Sequence, residues 1–126
     1  MKSFLSALSL LLLMTVLAWG SYLYVDTTTH EFSRQAYHIE SLCMLEEYQQ
    51  AALELEDFDA RWQQTSRIYY TFLPHDGVLE VSFCVHRLKA YLMAQDRALI
   101  LSGAAQLRLQ VYCILSDEML DSANLL

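Results

Sequence analysis

FLSALSLLLLMTVLAWGSYLYV, the stretch from Phe4 to Val25, decides how the rest of the chain is read. Its 22 residues include eight Leu and no charged side chain. As a helix rising about 1.5 Å per residue, it covers the roughly 30 Å of a bilayer's hydrocarbon core. Lys2 and the amino terminus precede it, a start that a secretory signal peptide shares, and Ala18 and Gly20 supply small residues ahead of a cleavage point at Ser21. Length argues for an anchor instead. A signal peptide's apolar core runs to about 15 residues, and this one continues through Tyr22, Leu23, Tyr24 and Val25. Trp19, Tyr22 and Tyr24 gather near its far end, where amphipathic rings favour the headgroup zone. Residues 1–25 are therefore expected to be an uncleaved anchor that meets the lipid bilayer through Phe4–Val25, and residues 26–126 a separate domain.

Basic residues set the expected orientation. Lys2 lies before the span, the first basic residue after it is Arg34, and Asp26 and Glu31 occupy the near flank. This asymmetry predicts a cytoplasmic N-terminus and an extracytoplasmic C-terminal domain at the cell membrane. No second apolar run reaches spanning length, because Ser102, Gly103 and Gln106 interrupt the stretch between Arg97 and Arg108.

The remaining 100 or so residues suffice for one small domain. They hold all 15 acids against seven Lys and Arg, a net charge of −8. Nucleic acid is excluded as a partner, since phosphate binding needs a basic face. Glu46, Glu47, Glu54, Glu56, Asp57 and Asp59, with Glu40, fall in a window that contains no base. That run reads as a solvated helix face, or as an acidic docking face for a basic partner or a weak divalent cation. No EF-hand pattern is present, and no metal is expected. Cys43, Cys84 and Cys113 are an odd number without metal-type spacing.

One Pro and three Gly leave few breaks, and the apolar spacing is helical throughout. The first segment is expected from about Thr29 to Leu55, with Phe32, Ala36, Ile39, Cys43, Tyr48, Ala52 and Leu55 inward and a capping box at Thr28 and Glu31 unless the anchor continues into it. Asp57 is expected to cap the second, whose Phe58, Trp62, Thr65, Tyr69 and Phe72 follow a 4-3-4-3 seam. Leu73-Pro74 then stops the helix. Asp76 is expected to cap a third segment from about Val78 to Ala94, with Val81, Cys84, Val85, Leu88, Tyr91 and Leu92 inward. Asp96 caps a fourth, to about Asp117, with Ile100, Ala104, Leu107, Val111, Ile114 and Leu115 inward. The short link between the last two makes them antiparallel neighbours, which is expected to bring Cys84 towards Cys113 and leave Cys43 free. Gly103-Ala104-Ala105 allows close helix approach, or a large aromatic side chain to lie across it. The fold class is all-α: an N-terminal transmembrane helix followed by an antiparallel bundle of about four helices.

His75 and Asp76 are the one polar pair with the look of a site, since a His beside a carboxylate can serve as a general base or metal ligand. No nucleophile or second ligand pair stands at a defined spacing from them. A helix-capping turn explains the same residues. His86 reads as a boundary residue, and His30 and His38 lie near the start of the first segment. No nucleophile elbow and no Gly-rich phosphate loop is present. The sequence therefore predicts no catalytic residues, no cofactor and no enzyme.

Read in order, one N-terminal span, the helix bearing Trp62, the His75-Asp76 turn, the stretch Arg87, Leu88, Tyr91 and Leu92, the Asp96-started helix and the Asn124-Leu125-Leu126 end form a recognisable series. It resembles domain of unknown function 4363, a family of small anchored proteins from Firmicutes. That family more often has Glu after the turn His and Ile in the final triplet, where this chain has Asp76 and Leu125. The resemblance implies no established activity. It does imply a partner, since members are often encoded beside a YetF-like multi-pass membrane protein. The expected role is a non-enzymatic accessory or interaction subunit of a cell-membrane complex, with a small extracytoplasmic sensor or ligand-binding domain as the alternative.

Overall fold

The computed structural model describes residues 1–72 and 75–124, with side chains at all of these except 25, 26, 72, 75 and 115–124. Four helices account for nearly all of it: α1 Lys2–Met44, α2 Tyr48–Phe72, α3 His75–Ala94 and α4 Arg97–Asn124. No strand occurs among the described residues. Each helix packs on the next, and α4 returns to pack on α1, so the four close into a ring with α3 diagonally across from α1. Links of two or three residues make sequential neighbours antiparallel.

α1 does two jobs in one rod. Its 43 residues make a helix about 64 Å long. The first part is long and apolar enough to cross a membrane, and none of that window is buried within the protein. From Thr29 onward one face turns inward, with Thr29, Phe32, Ala36, Ile39 and Cys43 all buried. The helix crosses Thr28 and Glu31 without a break, so these residues form no capping box and the apolar segment is continuous with the first bundle helix.

The first helix break lies elsewhere than the residue pattern predicts. α1 stops at Met44, and Tyr48, Ala52 and Leu55 belong to α2, inside which Asp57 sits well past the first turn. The stop is a complete Schellman motif: the Glu47 N–H donates to the Leu42 carbonyl at 3.0 Å, and the Glu46 N–H to the Cys43 carbonyl at 3.2 Å. Glu46 takes φ 60°, the left-handed value usually given to Gly or Asn. Gln95, closing α3, takes φ 56°, and its N–H donates to the Leu92 carbonyl at 3.3 Å. Both residues carry the strain of a Cβ in that region. Replacing Gln95 with Gly should therefore raise stability by about 0.5–1 kcal/mol, readable as a higher melting temperature. Glu46→Gly should gain less, because it also deletes the 2.6 Å ion pair of Glu46 with Arg97.

Inside the ring, the expected inward residues of the third and fourth segments whose side chains are described are buried, apart from partly buried Tyr91. On α2 the seam is Leu55, Phe58, Trp62 and Tyr69, all buried, while Ser66 rather than Thr65 fills the position between the last two. Leu73-Pro74 and the side chains of Phe72 and Leu115 lie outside the described residues. Phe32 of α1 meets the α2 rings edge-on, 5.2 Å from Phe58 and 5.1 Å from Trp62. Trp62 in turn stands 5.5 Å from Tyr69. The Trp62 indole N–H donates to Ser82 Oγ at 3.2 Å, which ties α2 to α3. Tyr69 Oη donates to Thr28 Oγ1 at 2.6 Å, at the level where α1 enters the bundle. Gly103 is the close-approach point between α3 and α4: a Cβ there would stand 2.8 Å from the Tyr91 ring, which lies across it.

Candidate functional site

The His75-Asp76 turn starts α3 at the end of the bundle nearest the apolar segment. Asp76 lies in the first turn of α3 rather than capping it. Its carboxylate there still favours the positive end of the helix dipole, and Asp76 is exposed. The His75 side chain lies outside the described residues. The adjoining backbone is held by α4, with Gln110 Nε2 donating to the Gly77 carbonyl at 3.4 Å. His30, His38 and His86 are all exposed.

The six acids proposed as a docking face are divided among several neighbours. Asp59 is buried, and its Oδ2 accepts from Lys89 Nζ of α3 at 2.5 Å. Glu56 joins the same ammonium at 3.3 Å. Burial alone pulls the Lys89 pKa down, but the hydrogen bonds and charges of Asp59 and Glu56 outweigh it and hold it above its ordinary value. Glu46 pairs with Arg97, and Asp57 accepts from Gln35 Nε2 at 2.9 Å. Glu54 faces the same side as Asp57, where its backbone carbonyl accepts from Gln35 at 3.4 Å. Glu47 sits in the link between α1 and α2. Glu40, from the same acidic window, accepts from Arg108 Nε of α4 at 2.7 Å, and the Arg108 guanidinium lies 5.2 Å from the Tyr37 ring centre. The bases that answer the acids lie far away in sequence, so the window without a base is not a surface without one.

Between α1 and α2 an open groove of about 600 Å³ is lined by Glu31, Arg34, Gln35, His38, Glu54, Asp57 and Arg61. Arg61 organises it, donating to Glu31 and to Gln35 Oε1, each at 3.1 Å, while its guanidinium lies 5.3 Å from the Phe32 ring centre. Gln35 passes the chain of hydrogen bonds on to Asp57. The groove thus carries both signs of charge in close alternation. A smaller cleft of about 320 Å³ opens at the other end of the bundle, between Tyr48, Ala52, Leu55, Leu92 and Met93. Among the described residues no three of His, Cys, Asp and Glu converge as metal ligands.

All three cysteines are free. Cys43 and Cys84 are buried, whereas Cys113 is exposed. Val111 and Ile114 take the inward positions around it. Burial first, and then Glu40, push the Cys43 thiol up to about 11. Burial and Glu80 raise Cys84 against a smaller opposing effect of Arg87. Both are therefore neutral thiols at physiological pH and behave as small core hydrophobes.

The sequence matches a family model described as domain of unknown function (DUF4363) over residues 19–125. The chain belongs to this family. No curated protein and no solved structure matches it. The DUF4363 match begins at Trp19, within the apolar part of α1, and extends through all four helices. The last turns of the apolar segment therefore belong to the same family pattern as the bundle, in keeping with α1 being a single helix.

Proposed function

We propose that this DUF4363 protein is a single-pass protein of the cell membrane, with its N-terminus in the cytoplasm and its helical bundle outside, and that the bundle is a non-enzymatic accessory or interaction subunit of a membrane complex. The observation that carries the reading is the unbroken passage of α1 from an apolar rod, unburied in its own fold, into the core of the bundle. A lipid bilayer covers such a rod at no cost in exposed apolar surface. A helix without a hinge then holds the bundle upright at a fixed height, as suits a subunit that presents a surface to a neighbour in the same membrane. The orientation rests on Lys2 before the span and the acidic flank after it.

The polar groups of the bundle support the same reading. Arg61, Lys89, Arg97 and Arg108 each bind acids of a neighbouring helix or link, so these charges knit helices together. A partner of the YetF-like multi-pass type fits this placement. Crosslinking in native membranes followed by affinity capture should recover a discrete integral-membrane partner in stoichiometric amount, and His75→Ala should leave that recovery unchanged. Capture of the chain alone would contradict the accessory role. Loss of a small-molecule response in His75→Ala, with recovery intact, would favour the sensor alternative.

A further inference from the structure

The core-facing residues of α3 are matched by a second series on its opposite side. Leu79, Phe83, His86, Ala90 and Met93 recur at 4-3-4-3 spacing, and all five are exposed. Met93 is 86% and Phe83 51% exposed, so the largest apolar members are open to solvent. None of the five carries a fixed charge. The other outward faces differ, since Arg34 interrupts that of α1, Asp57 and Arg67 that of α2, and the polar Ser102 and Gln106 separate Leu99 from Leu109 on α4. A narrow apolar seam of this period fits one thing well, which is another helix packed along it at a shallow angle.

We propose that the outward face of α3 is a dimerisation seam that packs against the same face of a second copy standing in the same membrane. The proposal rests on the anchored reading, because anchoring selects the occupant. Two copies held by identical spans stand parallel and at one height, so each α3 meets its own image in register. Residues at the seam then face their counterparts: Phe83 packs on Phe83 of the second copy, and Ala90 on Ala90. The flanks are compatible with this. In a parallel pair Ser82 lies beside Arg87 of the other copy, and Lys89 beside its Ala94, so no like charges meet. Glu80 and Arg87 are already satisfied within each copy at 3.4 Å.

Size also favours an anchored second copy. One seam on one helix is smaller than the roughly 800 Å² per partner of a standard interface. Confinement to a bilayer in a fixed orientation removes much of the orientational freedom that association would otherwise cost. Because α3 lies diagonally across from α1, the pair places its two spans on opposite outer sides. With helices about 8–10 Å apart, the spans stand about 31–38 Å from one another and do not touch.

The test is a disulfide trap in native membranes, with the full chain co-expressed as two differently tagged copies. Ala90→Cys is placed in a Cys113→Ser background, which leaves only the buried Cys43 and Cys84. Mild oxidation should join the two tags in a species of twice the monomer mass. Gln64→Cys on the exposed face of α2 should not do so, and adding Phe83→Glu to Ala90→Cys should reduce the product at least tenfold. A membrane-retained chain that gives no mixed-tag product from Ala90→Cys, or as much from Gln64→Cys, overturns the seam. A product of other mass, containing one tag and a different protein, overturns the second copy as occupant. Recovery of the chain in the alkaline-carbonate supernatant sinks the anchored reading, and the two failures are read from separate fractions.

Discussion

Trp62→Ala should cost about 3–5 kcal/mol, the range for deleting a fully buried large aromatic side chain. Trp62 is 1% exposed and stands where three helices meet. It packs edge-on against Phe32 of α1 and stacks at 6.1 Å on Phe58 of its own helix. It also donates its one polar hydrogen to Ser82 of α3. Truncation therefore opens a cavity, removes ring contacts worth roughly 0.5–1.5 kcal/mol per pair, and leaves the Ser82 hydroxyl without that donor. A bundle of this size has about 5–15 kcal/mol of total stability, so the variant should unfold at far lower denaturant. Equilibrium unfolding in detergent micelles reads the difference. A loss below about 1 kcal/mol would mean that Trp62 does not sit at the centre of the core.

Lys89→Ala should be the next most damaging change, at about 2–3 kcal/mol. Its ammonium answers a carboxylate, Asp59, that is only 8% exposed. Among the described residues, removing the base leaves that carboxylate only a 3.3 Å hydrogen bond from Gln63. Breaking a fully buried pair costs about 3–5 kcal/mol. The Lys89 side chain is 25% exposed, so water screens part of the effect. A combined Lys89→Met and Asp59→Leu replacement should recover most of the loss, because it removes both desolvation costs together. The pH dependence follows from the raised Lys89 pKa. The contribution is fully present below the unfolded value of about 10.4 and fades only as pH climbs through the higher folded one. Lys89→Ala and the parent should therefore differ by a constant amount near neutrality and converge in strong alkali. A difference under about 0.5 kcal/mol at pH 7 would refute the pair's role.

The residues that made the fold legible are those whose local chemistry and tertiary role agree. The Phe58-Trp62-Tyr69 spacing identifies the α2 seam, and Asp96 caps α4 as its residue type predicts, accepting from the Leu99 N–H at 3.2 Å. The stop at Met44 was illegible because it is made by Glu46 in a left-handed conformation, with no Gly, Asn or Pro to announce it. Asp57 drew the boundary in the wrong place for the complementary reason. It is a good capping residue that here spends its carboxylate on Gln35 of another helix.

Candidate site residues were harder to read for a related reason. The acidic window from Glu40 to Asp59 holds no base, yet folding brings Lys89, Arg97 and Arg108 to it from up to 68 positions away. Local composition cannot register pairs made across such separations. The outward seam of α3 escaped notice differently. Its period equals that of the inward seam on the same helix, and only the placement of α2 and α4 tells which of the two is covered.

Everything proposed for this DUF4363 protein depends on α1 being one rod that begins near Lys2 and remains in the mature chain. The intact mass of the protein extracted from native membranes tests this most directly. Retention of the N-terminal residues through Phe4, with at most Met1 removed, is the predicted result. A mature chain that begins at Ser21 would show that the apolar segment is a cleaved signal, leaving the bundle without its span.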